Sequence, residues 1–74
     1  MIEAQDLEKL VQWRMPYGKY EGRYLADLPG HYLAWFVRNG LPEGDLGRLL
    51  GLMFELDHNN LRGLLNPLRR PEAD

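Results

Sequence analysis

A chain of 74 residues with a net charge of −2 and no cysteine is expected to form one small domain that is stabilised by packing alone. Serine and threonine are absent as well, so the sequence excludes the common hydroxyl and thiol nucleophiles and every thiolate metal ligand. Because the overall charge is acidic, any attraction for nucleic acid must come from a local basic patch.

The apolar residues are dominated by fifteen leucines, against three β-branched residues. Leucine loses little rotamer freedom in a helix, whereas strands favour branched side chains, so helices should predominate. We expect one domain over residues 1–68 and a frayed tail over residues 69–74. With no basic leader and no apolar run long enough for a membrane span, we expect a cytoplasmic protein without a membrane partner.

The first predicted element is a helix over residues 2–13. Its apolar side chains recur at helical spacing, at Leu7, Leu10 and Val11. Pro16 ends any continuation, because the residue before a proline is pushed toward extended geometry.

The next segment, residues 14–25, is predicted to form a short β-hairpin. Gly22 would supply the positive φ of the turn, and Gly18 would let the backbone turn or pack closely. Because an isolated two-stranded hairpin is marginal in water, one of its faces should lie on the helices.

Two main helices are predicted after the hairpin. Residues 27–29, Asp-Leu-Pro, favour a helix start, with the aspartate as a cap, and Gly40 favours its end. The third helix, over residues 45–57, has the clearest apolar stripe and carries Gly47 and Gly51 one turn apart. Close approach by another backbone would explain both glycines, and the pair could equally receive the hairpin or a second copy of the protein.

A short C-terminal helix is predicted over residues 61–68, with Pro67 ending it. The predicted fold class is therefore α+β: an N-terminal helix, a β-hairpin, two main helices and a short C-terminal helix. His31 and His58 lack ligand spacing and suit surface or capping roles. We expect no metal, no cofactor and no catalysis.

Only the predicted hairpin carries a pattern typical of nucleic-acid binding. Its cations alternate with tyrosines, and Glu21 is its single acidic residue. Cations can follow phosphates while aromatic faces stack bases, at about 1–3 kcal/mol per base. The same pattern would arise if Tyr17 and Tyr24 were core residues of a half-buried hairpin. The candidate binding residues are Arg14, Tyr17, Lys19, Tyr20, Arg23 and Tyr24.

Several motifs in the chain resemble a known family. They are Met15-Pro16-Tyr17-Gly18-Lys19-Tyr20-Glu21-Gly22-Arg23, Asp27-Leu28-Pro29, Tyr32-Leu33-Ala34-Trp35-Phe36 and Pro42-Glu43-Gly44-Asp45-Leu46-Gly47. Over about residues 7–68 the chain resembles small bacterial proteins of unknown function, the putative quorum-sensing-regulated virulence factors. That family name describes regulation and implies no chemistry.

Residues 15–35 also resemble the small domain appended to some DnaQ-like bacterial exonucleases. This resemblance implies a module that accompanies nucleic-acid enzymes. It implies no nuclease activity, because the metal-binding carboxylates of those exonucleases lie in a separate domain.

Together these observations predict a noncatalytic binding module that presents the hairpin to nucleic acid or to a nucleic-acid-processing protein. The alternative is a protein-interaction or homodimeric module in a quorum-sensing or virulence context. Such a dimer would use the helix face around Gly47 and Gly51, with the hairpin tyrosines buried.

Overall fold

Three α-helices and two 3₁₀ helices follow one another along residues 3–69, the part of the chain that the computed structural model describes. Helix α1 spans Ala4–Gln12, α2 spans Gly30–Asn39 and α3 spans Gly44–His58. The 3₁₀ helices are Leu25–Asp27 and Arg62–Leu68. Since these residues contain no strand, the fold is all-helical, and the predicted α+β class is wrong.

The core forms where α2 packs on α3 and where α1 packs on both 3₁₀ helices. Burying one leucine side chain completely contributes about 1.5–3 kcal/mol, which explains how a short chain without disulfides holds together. None of the helices within residues 3–69 is long and apolar enough to cross a membrane. The buried apolar residues are Leu10, Met15, Leu25, Ala26, Leu28, Leu33, Phe36, Leu49, Leu50, Met53, Leu56 and Leu65.

The β-hairpin predicted over residues 14–25 is wrong, because no strand forms there. The segment nevertheless reverses direction. Arg14 and Tyr24 form an isolated antiparallel bridge, and the amide of Met15 donates to the carbonyl of Arg23 at 2.7 Å. We call this segment the basic loop.

The basic loop forms consecutive turns because both of its glycines occupy the left-handed region, with φ of 86° at Gly18 and 90° at Gly22. The amide of Glu21 donates to the carbonyl of Gly18 at 3.1 Å, within a turn. Pro16 has no amide hydrogen to donate across the loop. A β-ladder therefore does not extend beyond the single bridge. The positive φ predicted for Gly22 is confirmed.

The start of α2 and the end of the chain also differ from prediction. Pro29, not Asp27, occupies the N-cap position of α2, and no side chain caps it. Asp27 is instead the last residue of the first 3₁₀ helix. Its carboxylate forms an ion pair with Arg69, with 2.9 Å between Oδ1 and the guanidinium nitrogen. The closing helix is 3₁₀ and continues through Pro67. Residues 70–74, most of the predicted frayed tail, lie outside the described residues, as does the predicted helix start at Ile2.

Gly47 lies where another part of the backbone approaches α3. A Cβ atom there would overlap the carbonyl oxygen of Pro42, in the linker that precedes the helix. Gly51, one turn later, faces only the end of the Leu41 side chain, 3.3 Å from where its Cβ would stand. At Gly47 the close backbone approach is therefore made by the linker before α3 and not by the predicted hairpin, and at Gly51 the only neighbour within residues 3–69 is a side chain.

Candidate functional site

The tip of the basic loop lies close to α2 at Gly18. A Cβ atom on Gly18 would stand 2.8 Å from the hydroxyl of Tyr32, closer than side chains pack, and the positive φ of Gly18 disfavours other residues as well. The glycine thus sets how closely the tip of the loop approaches the helix.

A groove opens between the loop and the helix, with a volume of about 430 Å³, within the range of about 300–1,000 Å³ typical of ligand pockets. Aromatic rings form nearly all of its walls. Tyr17 is 46% exposed and Trp35 is 52% exposed, so two large apolar faces are open to solvent. We call it the aromatic groove; it is lined by Tyr17, Gly18, Tyr32, Trp35 and Phe36.

The rings of the groove are held in place by edge-to-face contacts. The ring of Tyr32 lies 4.7 Å from that of Tyr20 and 5.1 Å from that of Phe36, measured between centroids. The rings of Trp35 and Phe36 are 5.2 Å apart, at 84° to each other. Each such pair contributes about 0.5–1.5 kcal/mol beyond its buried area, so the wall is braced before any ligand arrives.

Burial raises the pKa of the Tyr32 hydroxyl, and the neighbouring phenols of Tyr17 and Tyr20 raise it further. Tyr32 therefore stays protonated throughout the physiological range. Its hydroxyl can donate a hydrogen bond into the groove but does not contribute a negative charge.

Two cations border the wall on the loop side. The Nζ of Lys19 lies 5.6 Å from the centre of the Tyr20 ring, and the guanidinium carbon of Arg23 lies 5.4 Å from it. Both side chains belong to exposed residues, and neither forms an ion pair within the described part of the chain. Since Tyr20 contacts Tyr32, unneutralised positive charge lies beside the aromatic groove.

Arg14 and Tyr24 have a different role from the other candidate residues. Arg14 donates to the hydroxyl of Tyr24 at 3.0 Å and to the carbonyl of Gly22 at 3.3 Å, and its guanidinium lies 4.7 Å from the centre of the Tyr24 ring. These contacts join the two ends of the basic loop. The pair therefore braces the loop.

The other four candidate residues lie together on the loop. Tyr20 is half-buried against α2, whereas Tyr17, Lys19 and Arg23 are exposed. The sequence did not reveal the role of α2: the helical spacing of Tyr32 and Phe36 is that of a core-facing stripe, with Trp35 at its shoulder. The available signal was that Trp35 lies off this stripe, which favours an exposed tryptophan.

Several polar side chains outside the basic loop make contacts within the domain. No group of three or more His, Cys, Asp or Glu that could hold a metal occurs in residues 3–69. His58 stacks on Phe54 with centroids 5.6 Å apart. In a second groove, beside Gly51, Arg48 pairs with Asp6 at 2.6 Å, and this hydrogen bond lowers the pKa of the Asp6 carboxyl.

Comparison with known proteins identifies the family. The family described as "Putative quorum-sensing-regulated virulence factor" matches residues 3–68. The chain is 41% identical to the "Uncharacterized protein YpeB" of Escherichia coli strain K12 over 71 residues, which cover 95% of this chain and 99% of the relative. The protein of the same name from Escherichia coli O157:H7 gives the same values. No solved structure matches the chain. The resemblance over residues 7–68 is thus confirmed, and the chain belongs to the family of putative quorum-sensing-regulated virulence factors.

Proposed function

We propose that this domain is a noncatalytic binding module that binds nucleic acid along the basic loop and the aromatic groove. The observation that carries the proposal is a pair of cations, Lys19 and Arg23, on a tyrosine that contacts the wall of an exposed aromatic groove; neither cation has an ion-pair partner among residues 3–69. Cations neutralise phosphates and aromatic faces accept bases, and nucleic acid supplies both groups side by side.

The net charge of −2 supports a local mode of binding, because the molecule as a whole repels polyanions. Two phosphate contacts on single-stranded nucleic acid predict a salt slope of about −1.4, so raising monovalent salt fourfold should weaken binding about sevenfold. The proposal includes a cytoplasmic location, which the lack of cysteine favours.

Homodimerisation through Gly47 and Gly51 has less support. The backbone of Pro42 already lies against Gly47, and the Leu41 side chain lies against Gly51. At Gly47 the helix face on which such a dimer would rest is therefore already covered by the chain's own backbone. We do not propose that interface.

The test is fluorescence anisotropy with labelled DNA and RNA oligonucleotides at low salt, comparing Lys19→Glu with Lys9→Glu. Both variants reverse one positive charge, but Lys9 belongs to α1, which contributes nothing to the groove. We expect Lys19→Glu to weaken binding at least fivefold and Lys9→Glu to change it less than twofold. Equal losses in the two variants, or no binding by the wild type, would refute the proposal.

A further inference from the structure

Building on the proposed function, we infer that the aromatic groove is a stacking subsite for an unpaired base. The ligand class is then single-stranded nucleic acid, not duplex. In a duplex both faces of every internal base are covered by its neighbours, so only a base free of its stack can place a face against Tyr17 or Trp35.

The composition of the groove favours stacking over hydrogen-bond readout. Its lining is aromatic apart from the backbone of Gly18, and its inner polar group is the Tyr32 hydroxyl, which the tip of the loop already approaches. With so few donors and acceptors the site cannot distinguish the edges of the four bases. We therefore expect tolerance of base identity, as in other stacking platforms.

The position of the charges selects an anionic occupant. Lys19 and Arg23 both lie over the ring of Tyr20, the outer member of the row of rings that continues through Tyr32 to Phe36. A base stacked in the groove would carry its phosphate toward this cationic end. Charge complementarity thus supports a nucleotide strand over a neutral apolar ligand.

The experiment measures anisotropy with three probes of equal length at equal salt: an oligo-dT strand, a duplex, and a strand of abasic sites. The abasic strand keeps the phosphates and removes the bases. We expect oligo-dT to bind about 5- to 150-fold more tightly than the abasic strand, the range that stacking one base provides. The duplex should also bind less tightly than oligo-dT, because its internal bases cannot stack in the groove.

Trp35→Ala should lose the preference for oligo-dT while the salt slope stays unchanged. Trp13→Ala is the matched control, because Trp13 is also partly exposed, at 36%, and lies outside the groove. Circular dichroism checks the fold of both variants.

An independent readout uses Trp13→Phe, which leaves Trp35 as the sole tryptophan, since the chain has two. Its fluorescence should be quenched by oligo-dT and not by the abasic strand.

The outcomes separate this inference from the proposed function. Equal binding of oligo-dT and the abasic strand, without quenching of Trp35, would overturn the stacking subsite and leave charge-driven binding intact. If no probe binds at low salt, the proposed function fails as well. Binding to an acidic peptide with an aromatic side chain, with no binding to any oligonucleotide, would likewise overturn both.

Discussion

Replacing Gly47 by alanine should destabilise the domain, although alanine is the better helix former. Inside a helix the change from glycine to alanine gains about 0.5–1 kcal/mol. At Gly47 the new methyl group would overlap the carbonyl of Pro42, and this neighbour is backbone at the entrance to α3. Overpacking of this kind costs about 1–3 kcal/mol. Because Gly47 lies near the start of α3, the gain in helix propensity is small, and we expect the free energy of unfolding to fall by about 2 kcal/mol.

Gly51→Ala is the matched control in the same helix. Its Cβ would meet only the terminal methyl of Leu41 at 3.3 Å, and the Leu41 side chain is 42% exposed and free to move. We therefore expect Gly51→Ala to stabilise the domain by up to about 1 kcal/mol.

Thermal unfolding followed by circular dichroism separates the two variants. For a domain of this size 1 kcal/mol shifts Tm by about 4–8 °C, so Gly47→Ala should lower Tm by about 8–16 °C while Gly51→Ala raises it by a few degrees. If Gly47→Ala unfolds at the wild-type temperature or above, the close approach of Pro42 does not determine the residue at this position.

Two further substitutions test contacts between elements. Arg62→Met removes the ion pair of Arg62 with Asp57, at 2.6 Å, and its hydrogen bonds to the carbonyls of Ala26 and Leu28, at 2.9 and 2.5 Å. Together these losses should cost about 2 kcal/mol in urea denaturation; a loss below about 0.5 kcal/mol would contradict this. Arg48 lowers the pKa of Asp6, so the charged carboxylate adds stability above its unfolded pKa, and this contribution is lost as pH falls through the lower folded pKa. The Tm difference between wild type and Asp6→Asn should therefore be present at pH 6 and shrink below about pH 4; a difference independent of pH would refute the ion pair.

The helical body was predictable because its elements follow from local patterns. The helices predicted over residues 2–13 and 45–57 correspond to Ala4–Gln12 and Gly44–His58. Gly40 ends α2 with φ of 112°, as glycine at that position predicts. In these segments the apolar period and the end signals agree, so sequence reasoning needs no information about distant contacts.

The basic loop was mispredicted because its sequence suits two conformations. Its aromatic residues favour strands and its glycines favour a turn, but a hairpin needs a ladder that continues past its first bridge. Here Gly18 and Gly22 both take positive φ, and the turns between them use the amide of Glu21 locally. The chain therefore reverses through turns, an outcome that composition does not distinguish from a hairpin.

The aromatic groove was not predictable because it depends on a contact between distant residues. Its shape follows from Gly18 lying against Tyr32, and no periodicity in the chain relates these two positions. The spacing of Tyr32 and Phe36 indicates only that they share a face of α2. Whether that face is buried in the core or borders a groove depends on the position of the basic loop in the folded chain.

Most of the residues that stabilise this domain differ from the exposed residues of the proposed binding surface, and Phe36 belongs to both the core and the aromatic groove. The fully buried side chains are mainly leucines from every helix, and they do not include the exposed aromatic residues of the groove. A chain so close to the lower size limit would gain stability by burying a tryptophan, yet Trp35 remains 52% exposed beside a loop whose Lys19 and Arg23 form no ion pair within residues 3–69. Packing alone does not account for that combination. The proposed ligand, with a flat apolar face and a negative charge, would account for it. We therefore expect substitutions of the exposed groove residues, Tyr17 and Trp35, to change binding without unfolding the protein.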